Sequence, residues 1–135
     1  MEKFSLISIY CGGGLSLFMV IFHAQFFKLF HWKKEFEKLT EINRRILYTI
    51  HLALLLLIFV FSSISFIYAA ELSRASGISC GILIGYALFW LWRTLWQIFY
   101  FKPDKKSRLL FLHYSPIVIF FLLCISYSVP VVITR

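Results

Sequence analysis

The sequence is poor in charge and poorer still in acid. Only 15% of its 135 residues are Asp, Glu, Lys or Arg, against roughly 25% in a soluble domain. Asp and Glu number 6 in all, and Glu35, Glu37, Glu41, Glu71 and Asp104 stand outside the long apolar runs. That excludes paired-carboxylate catalysis. It also argues against proton-coupled transport, which places a carboxylate inside the membrane. Cysteine is scarce too. Cys11, Cys80 and Cys124 are far apart and form no CxxC, so neither a redox pair nor a thiolate metal site is signalled. One bridge, Cys11 to Cys80, is conceivable. There is no HxxxH or HxxH, no GxSxG and no P-loop. The first apolar run lacks a small-x-small cleavage pattern, so it is expected to remain as a span and not to act as a signal peptide.

Apolar bulk is what the chain does have. Hydrophobic residues make up 61% and Phe occurs 16 times; mean hydropathy is +0.84. A soluble chain of this length could not hide that much apolar surface. Crossing the hydrocarbon takes about 20 apolar residues in a helix. Four segments qualify, at about 5–30, 46–70, 75–101 and 109–134. Alternating strand patterns are absent, and a backbone in lipid must satisfy its own hydrogen bonds. The expected fold is therefore all-α, one up-down-up-down bundle of four transmembrane helices.

The net charge of +8 then reads as topology and not as nucleic-acid binding. Lys33, Lys34, Lys38, Arg44 and Arg45 lie in the link 31–45, with Lys28 adjacent; Lys102, Lys105, Lys106 and Arg108 lie in the link 102–108. Lys3, Arg74 and Arg135 lie at the other end. The bias places the basic links in the cytoplasm and both termini outside, in a bacterial inner membrane. The partners implied are membrane lipids, with a protein partner or a homo-oligomer open. In the first link Trp32, Phe36 and Leu39 recur at i, i+4, i+7. That suits either a surface-lying amphipathic turn or an extension of the second helix.

Helices in lipid associate through close packing and polar contacts. Gly77, Gly81 and Gly85 form GxxxGxxxG, and Gly12, Gly13, Gly14 and Ser16 lie at the same level. The terminal half is thus expected to pack tightly within one chain, with an oligomer face as the alternative. The other half holds the ionisable groups. At 1.5 Å per residue, His23, His51, Arg93 and His113 all lie roughly 7–13 Å below the basic boundary. At 100° per residue each points where its helix's small and polar residues point, whereas Gln25 points away.

This layer is the candidate site: His23, His51, Arg93, Gln97, His113, Tyr48 and Tyr100. Two imidazoles at one depth suit haem b, with Arg93 for the propionates. Histidine, tyrosine and glutamine donors beside Trp92 and Trp96 suit a quinone. The three imidazoles of His23, His51 and His113 suit a zinc or copper ion. A second class is a non-catalytic accessory subunit whose polar layer only fixes helix register. A third is an enzyme modifying lipids or isoprenoids. The run Phe89-Trp90-Leu91-Trp92-Arg93-Thr94-Leu95-Trp96-Gln97-Ile98-Phe99-Tyr100-Phe101 resembles the FWxxRxxxQxxYF pattern of small uncharacterised four-helix membrane proteins of bacteria. The likeness covers roughly residues 32–101, including the helix start at Asn43-Arg44-Arg45. It implies that Arg93 and Gln97 belong to one motif, and it implies no activity.

Overall fold

The computed structural model describes residues 2–101 and 110–134, with backbone only for 110–113. Four of its helices are long and apolar enough to cross a membrane. They are α1 (Glu2–Ala24), α4 (Glu41–Ile67), α6 (Ile78–Phe99) and α7 (Leu110–Ile133). Short helices fill the turns: α2 (Phe26–Leu29), α3 (Trp32–Glu37) and α5 (Ala69–Ser73). The protein is an all-α, multi-pass four-helix bundle. Its link end carries α2 and α3; its terminal end carries α5, Glu2 and Thr134.

The first helix is the centre of the assembly. It packs on α4, α7 and α5, while α6 packs chiefly on α7. Glycine and serine make the α1 seams close. A Cβ placed on Gly12 would meet the Tyr127 ring at 2.9 Å, and one on Gly13 would meet the Ser65 Cβ at 3.0 Å. Short side chains bring the backbones within reach of polar groups on the neighbouring helix. Ser62 Oγ donates to the Gly13 carbonyl at 3.0 Å. The buried Tyr127 hydroxyl meets Ser16 Oγ at 3.1 Å and Ser65 Oγ at 2.9 Å, joining α1, α4 and α7. In lipid such interhelical bonds each contribute about 0.6 kcal/mol.

A proline explains another α1–α7 contact. Pro130 lies inside α7 and has no N–H, so the carbonyl four residues back, at Ser126, loses its helical partner. Ser8 Oγ donates to that carbonyl at 2.5 Å, as the absence of water in the bilayer requires.

The remaining seam uses rings. Phe61 of α4 stacks on Tyr86 of α6 at 3.8 Å between centroids and meets Phe89 edge-on at 5.3 Å. Large rings hold α4 and α6 apart where glycine would draw them together. Leu83, Tyr86, Trp90, Thr94 and Gln97 form the buried stripe of α6. Gly81 and Gly85 consequently face outward. Both are exposed, and a Cβ on either would meet nothing within 4 Å. The expected intrachain packing of the GxxxGxxxG stripe is corrected here: the aromatic face of α6 has taken the interior.

The first link combines the two expectations. α1 stops at Ala24, and Gln25 N–H bonds the Phe22 carbonyl at 3.1 Å. His31 then adopts a left-handed conformation, φ 51° and ψ 35°, and α3 begins. So residues 32–37 form a separate amphipathic turn, while residues from Glu41 onward belong to α4. Glu41 pairs with Arg45 one turn on. The three cysteines are free thiols, so the Cys11–Cys80 bridge does not form.

Candidate functional site

The last turn of α1 carries His23 to the link end, where it is 3% exposed. Its Nδ1–H donates to the Met19 carbonyl at 2.9 Å. A carbonyl only accepts, so the proton is on Nδ1 and Nε2 is left as an acceptor. Across the α1–α4 seam, His51 is 6% exposed. Its ring N–H faces the His23 backbone carbonyl, which leaves Nε2 as the acceptor nitrogen, buried with no hydrogen-bond partner among the described residues.

Aromatic rings wrap this pair, and the break after Ala24 places them. Without the break, α1 would run straight past α4. With it, Phe26 lies against His23 at 4.5 Å and against His51 at 6.1 Å, within 27° of parallel to each. Phe27 meets the His51 ring edge-on at 5.2 Å. The left-handed turn at His31 brings Trp32 back, so that it too meets His51 edge-on, at 4.9 Å. Phe36, the buried residue of α3, packs on Trp32 at 5.1 Å. Trp32 N–H apart, none of these rings carries a hydrogen-bonding group.

The helix α6 contributes the charge. The Arg93 guanidinium lies 5.2 Å from the Phe120 ring centroid and 5.7 Å from that of Trp92, the geometry of a cation–π contact. Arg93 and His51 are both among the groups around His23. Gln97, one turn further along α6, is buried. His23, His51, Arg93 and Gln97 therefore all turn inward at the link end, as their helical positions imply.

The two tyrosines do not. Tyr48 is 38% exposed and caps the shell from outside, stacked on Phe27 at 5.3 Å. Tyr100 is 69% exposed, and its expected inward orientation is corrected. It sits past the last helical residue of α6 as the C-cap, where its ring stacks back on Trp96 at 4.4 Å. His113 belongs to α7 by its backbone, but its side chain lies outside the described residues. A three-histidine metal set thus has no described third member, and no metal-binding group of His, Cys, Asp or Glu occurs among the described residues.

Phe26, Phe27 and Trp32 are the site residues that periodicity overlooks. The available signal is their density: Phe22, Phe26, Phe27, Phe30, Trp32 and Phe36 fall within 15 positions. Tyr127 is a second omission. Its helical face was evident, but its role as a hydroxyl hub at the terminal half was not.

Chemically, the arrangement offers an unpartnered imidazole lone pair in an aromatic shell, with the Arg93 guanidinium among the groups around His23. It offers no nucleophile paired with a base. Comparison with protein-family models, with curated proteins and with solved structures returns no match to this chain.

Proposed function

We propose that this protein binds a redox-active, quinone-type lipid at the link end of the bundle, with His51 Nε2 as hydrogen-bond acceptor from the hydroxyl of its reduced, quinol form while the other ring nitrogen donates to the His23 backbone. The observation that carries the reading is the buried His51 Nε2, unpartnered among the described residues and enclosed by Phe26, Phe27 and Trp32. Leaving such an atom unpaired costs about 1–3 kcal/mol. A quinol hydroxyl on a flat ring would donate to it while stacking in the same shell. Arg93 supplies positive charge for a reduced or anionic form. Haem b fits less well, because Phe26 lies nearly parallel to both imidazoles in the space a porphyrin would need. The basic residues Lys28, Lys33, Lys34, Lys38, Arg44 and Arg45 gather at this end. They favour a cytoplasmic position for the site in a bacterial inner membrane, with both termini outside.

The test is extraction and mass spectrometry of the chain purified in mild detergent, with an optical spectrum of the same sample. The expected result is an isoprenoid quinone near one per chain in wild type, lost in His51→Leu, while helicity and elution volume are unchanged. A Soret band would replace quinone by haem; absence of any redox lipid would overturn the reading.

The same Phe26 packing favours a second reading, that of an accessory subunit whose His layer only fixes helix register. On that reading His51→Leu lowers stability and removes no ligand.

A further inference from the structure

At the terminal end, opposite the histidine pair, lies a cavity of about 510 Å³ lined by Glu2, Ser5, Ser73, Arg74, Ile133 and Thr134. Three separate parts of the chain build it: the first turn of α1, the end of α5 and the last residues around α7. Two of its hydroxyls are committed to their own helices. Ser73 Oγ donates to the Ala70 carbonyl at 2.8 Å, and Thr134 Oγ1 donates to the Pro130 carbonyl at 2.7 Å. Ser5 differs. It is 1% exposed, and its Oγ has no hydrogen-bond partner among the described residues. A buried hydroxyl without a partner is costly in any apolar setting.

The charges at this cavity are of opposite sign and lie on different elements. Arg74 follows α5, and Glu2 opens α1. Neither forms an ion pair among the described residues, where the pairs are Lys38–Glu35 and Arg45–Glu41. A ligand for this cavity therefore needs an anionic group for Arg74, a cation for Glu2 and an acceptor for the Ser5 hydroxyl. It must also tolerate apolar surface, because Ile133 lines the cavity and Phe4 and Val132 stand exposed beside it.

We infer that this cavity binds the headgroup of a zwitterionic phospholipid bearing a primary ammonium, of the phosphatidylethanolamine class. Arg74 holds the phosphate, whose planar guanidinium match is strong. Ser5 Oγ donates to a phosphate or ester oxygen. Glu2 accepts from the ammonium, which has three N–H donors. A choline headgroup has none, so it loses the Glu2 contact. A glycerol headgroup brings no cation, so it leaves Glu2 facing a net anion. The acyl chains then run along the apolar surface of α1 and α7. This site is independent of the quinone reading, since it lies at the other end of the bundle.

The test uses the full chain in detergent and native mass spectrometry. It is titrated with short-chain phosphatidylethanolamine, phosphatidylcholine and phosphatidylglycerol, and with soluble phosphoethanolamine. The expected result is phosphatidylethanolamine binding about tenfold tighter than either other lipid, with phosphoethanolamine far weaker. Arg74→Gln should weaken all three lipids, Arg74→Lys should retain part of the affinity, and Glu2→Gln should bring ethanolamine and choline lipids within about twofold. Equal binding of the three lipids by wild type would overturn the proposal. So would unchanged binding in Arg74→Gln, or phosphoethanolamine binding as tightly as the lipid. Glu2→Gln alters selectivity and not total lipid binding, so it remains informative if an Arg74 variant fails to fold.

Discussion

The terminal halves of α1 and α6 carry the same signal and use it in opposite ways. Each has glycines at small intervals: Gly12, Gly13 and Gly14 on α1, Gly81 and Gly85 on α6. On α1, Gly12 lets Tyr127 approach closer than a Cβ would allow, and Gly13 lets Ser65 approach to where a Cβ would be crowded. On α6 the glycines face outward with nothing near them. Spacing alone does not say which face of a helix a glycine stripe will present. The rest of the helix decides. Opposite the α6 glycines stand Tyr86 and Trp90, whose burial outweighs anything a bare backbone can gain. On α1 no comparable aromatic face competes.

The contrast breaks most visibly at Gly12. Replacing it by Leu drives a side chain into the Tyr127 ring and should cost about 3 kcal/mol or more, read as a large loss of thermal stability in detergent. Next comes the proline seam. Ser8→Ala leaves the Ser126 carbonyl unpaired in lipid and should cost about 1–2 kcal/mol. Pro130→Ala restores the helical donor, so Ser8→Ala should cost much less in that background; a double-mutant cycle measures the coupling. Tyr127→Phe removes the hydroxyl hub and should cost about 1 kcal/mol, leaving helicity by circular dichroism unchanged. The smallest effect belongs to Gly81→Ala and Gly85→Ala. With open space at each Cβ, they should be neutral or stabilise by up to about 1 kcal/mol through helix propensity. A large loss there would mean that the α6 stripe meets a second chain, which analytical ultracentrifugation of wild type would reveal.

The spans were legible in the sequence because they rest on length and hydropathy, which lipid enforces. The inward faces of His23, His51, Arg93 and Gln97 were legible because 100° per residue holds along an unbroken helix. The failures begin where helices end. Nothing at Ala24-Gln25 resembles a breaker, and His31 takes a left-handed φ of 51° without being Gly or Asn. Tertiary packing of Trp32 and Phe36 on the histidine shell sets that turn. Tyr100 failed for the same reason: helical phase carries no meaning at a cap that has no helix beside it. The glycine stripe failed because small residues permit an approach without requiring one.

One consequence follows from the hydroxyl that Ser8 lends to the carbonyl opposite Pro130. A transmembrane helix is ordinarily self-sufficient, able to enter the bilayer before it meets its neighbours. The span α7 is not, because the Ser126 carbonyl near its terminal end is satisfied, among the described residues, by Ser8 of α1. The bundle thus closes on itself like a clasp. Its α7 segment reaches its ground state only when α1 is already beside it.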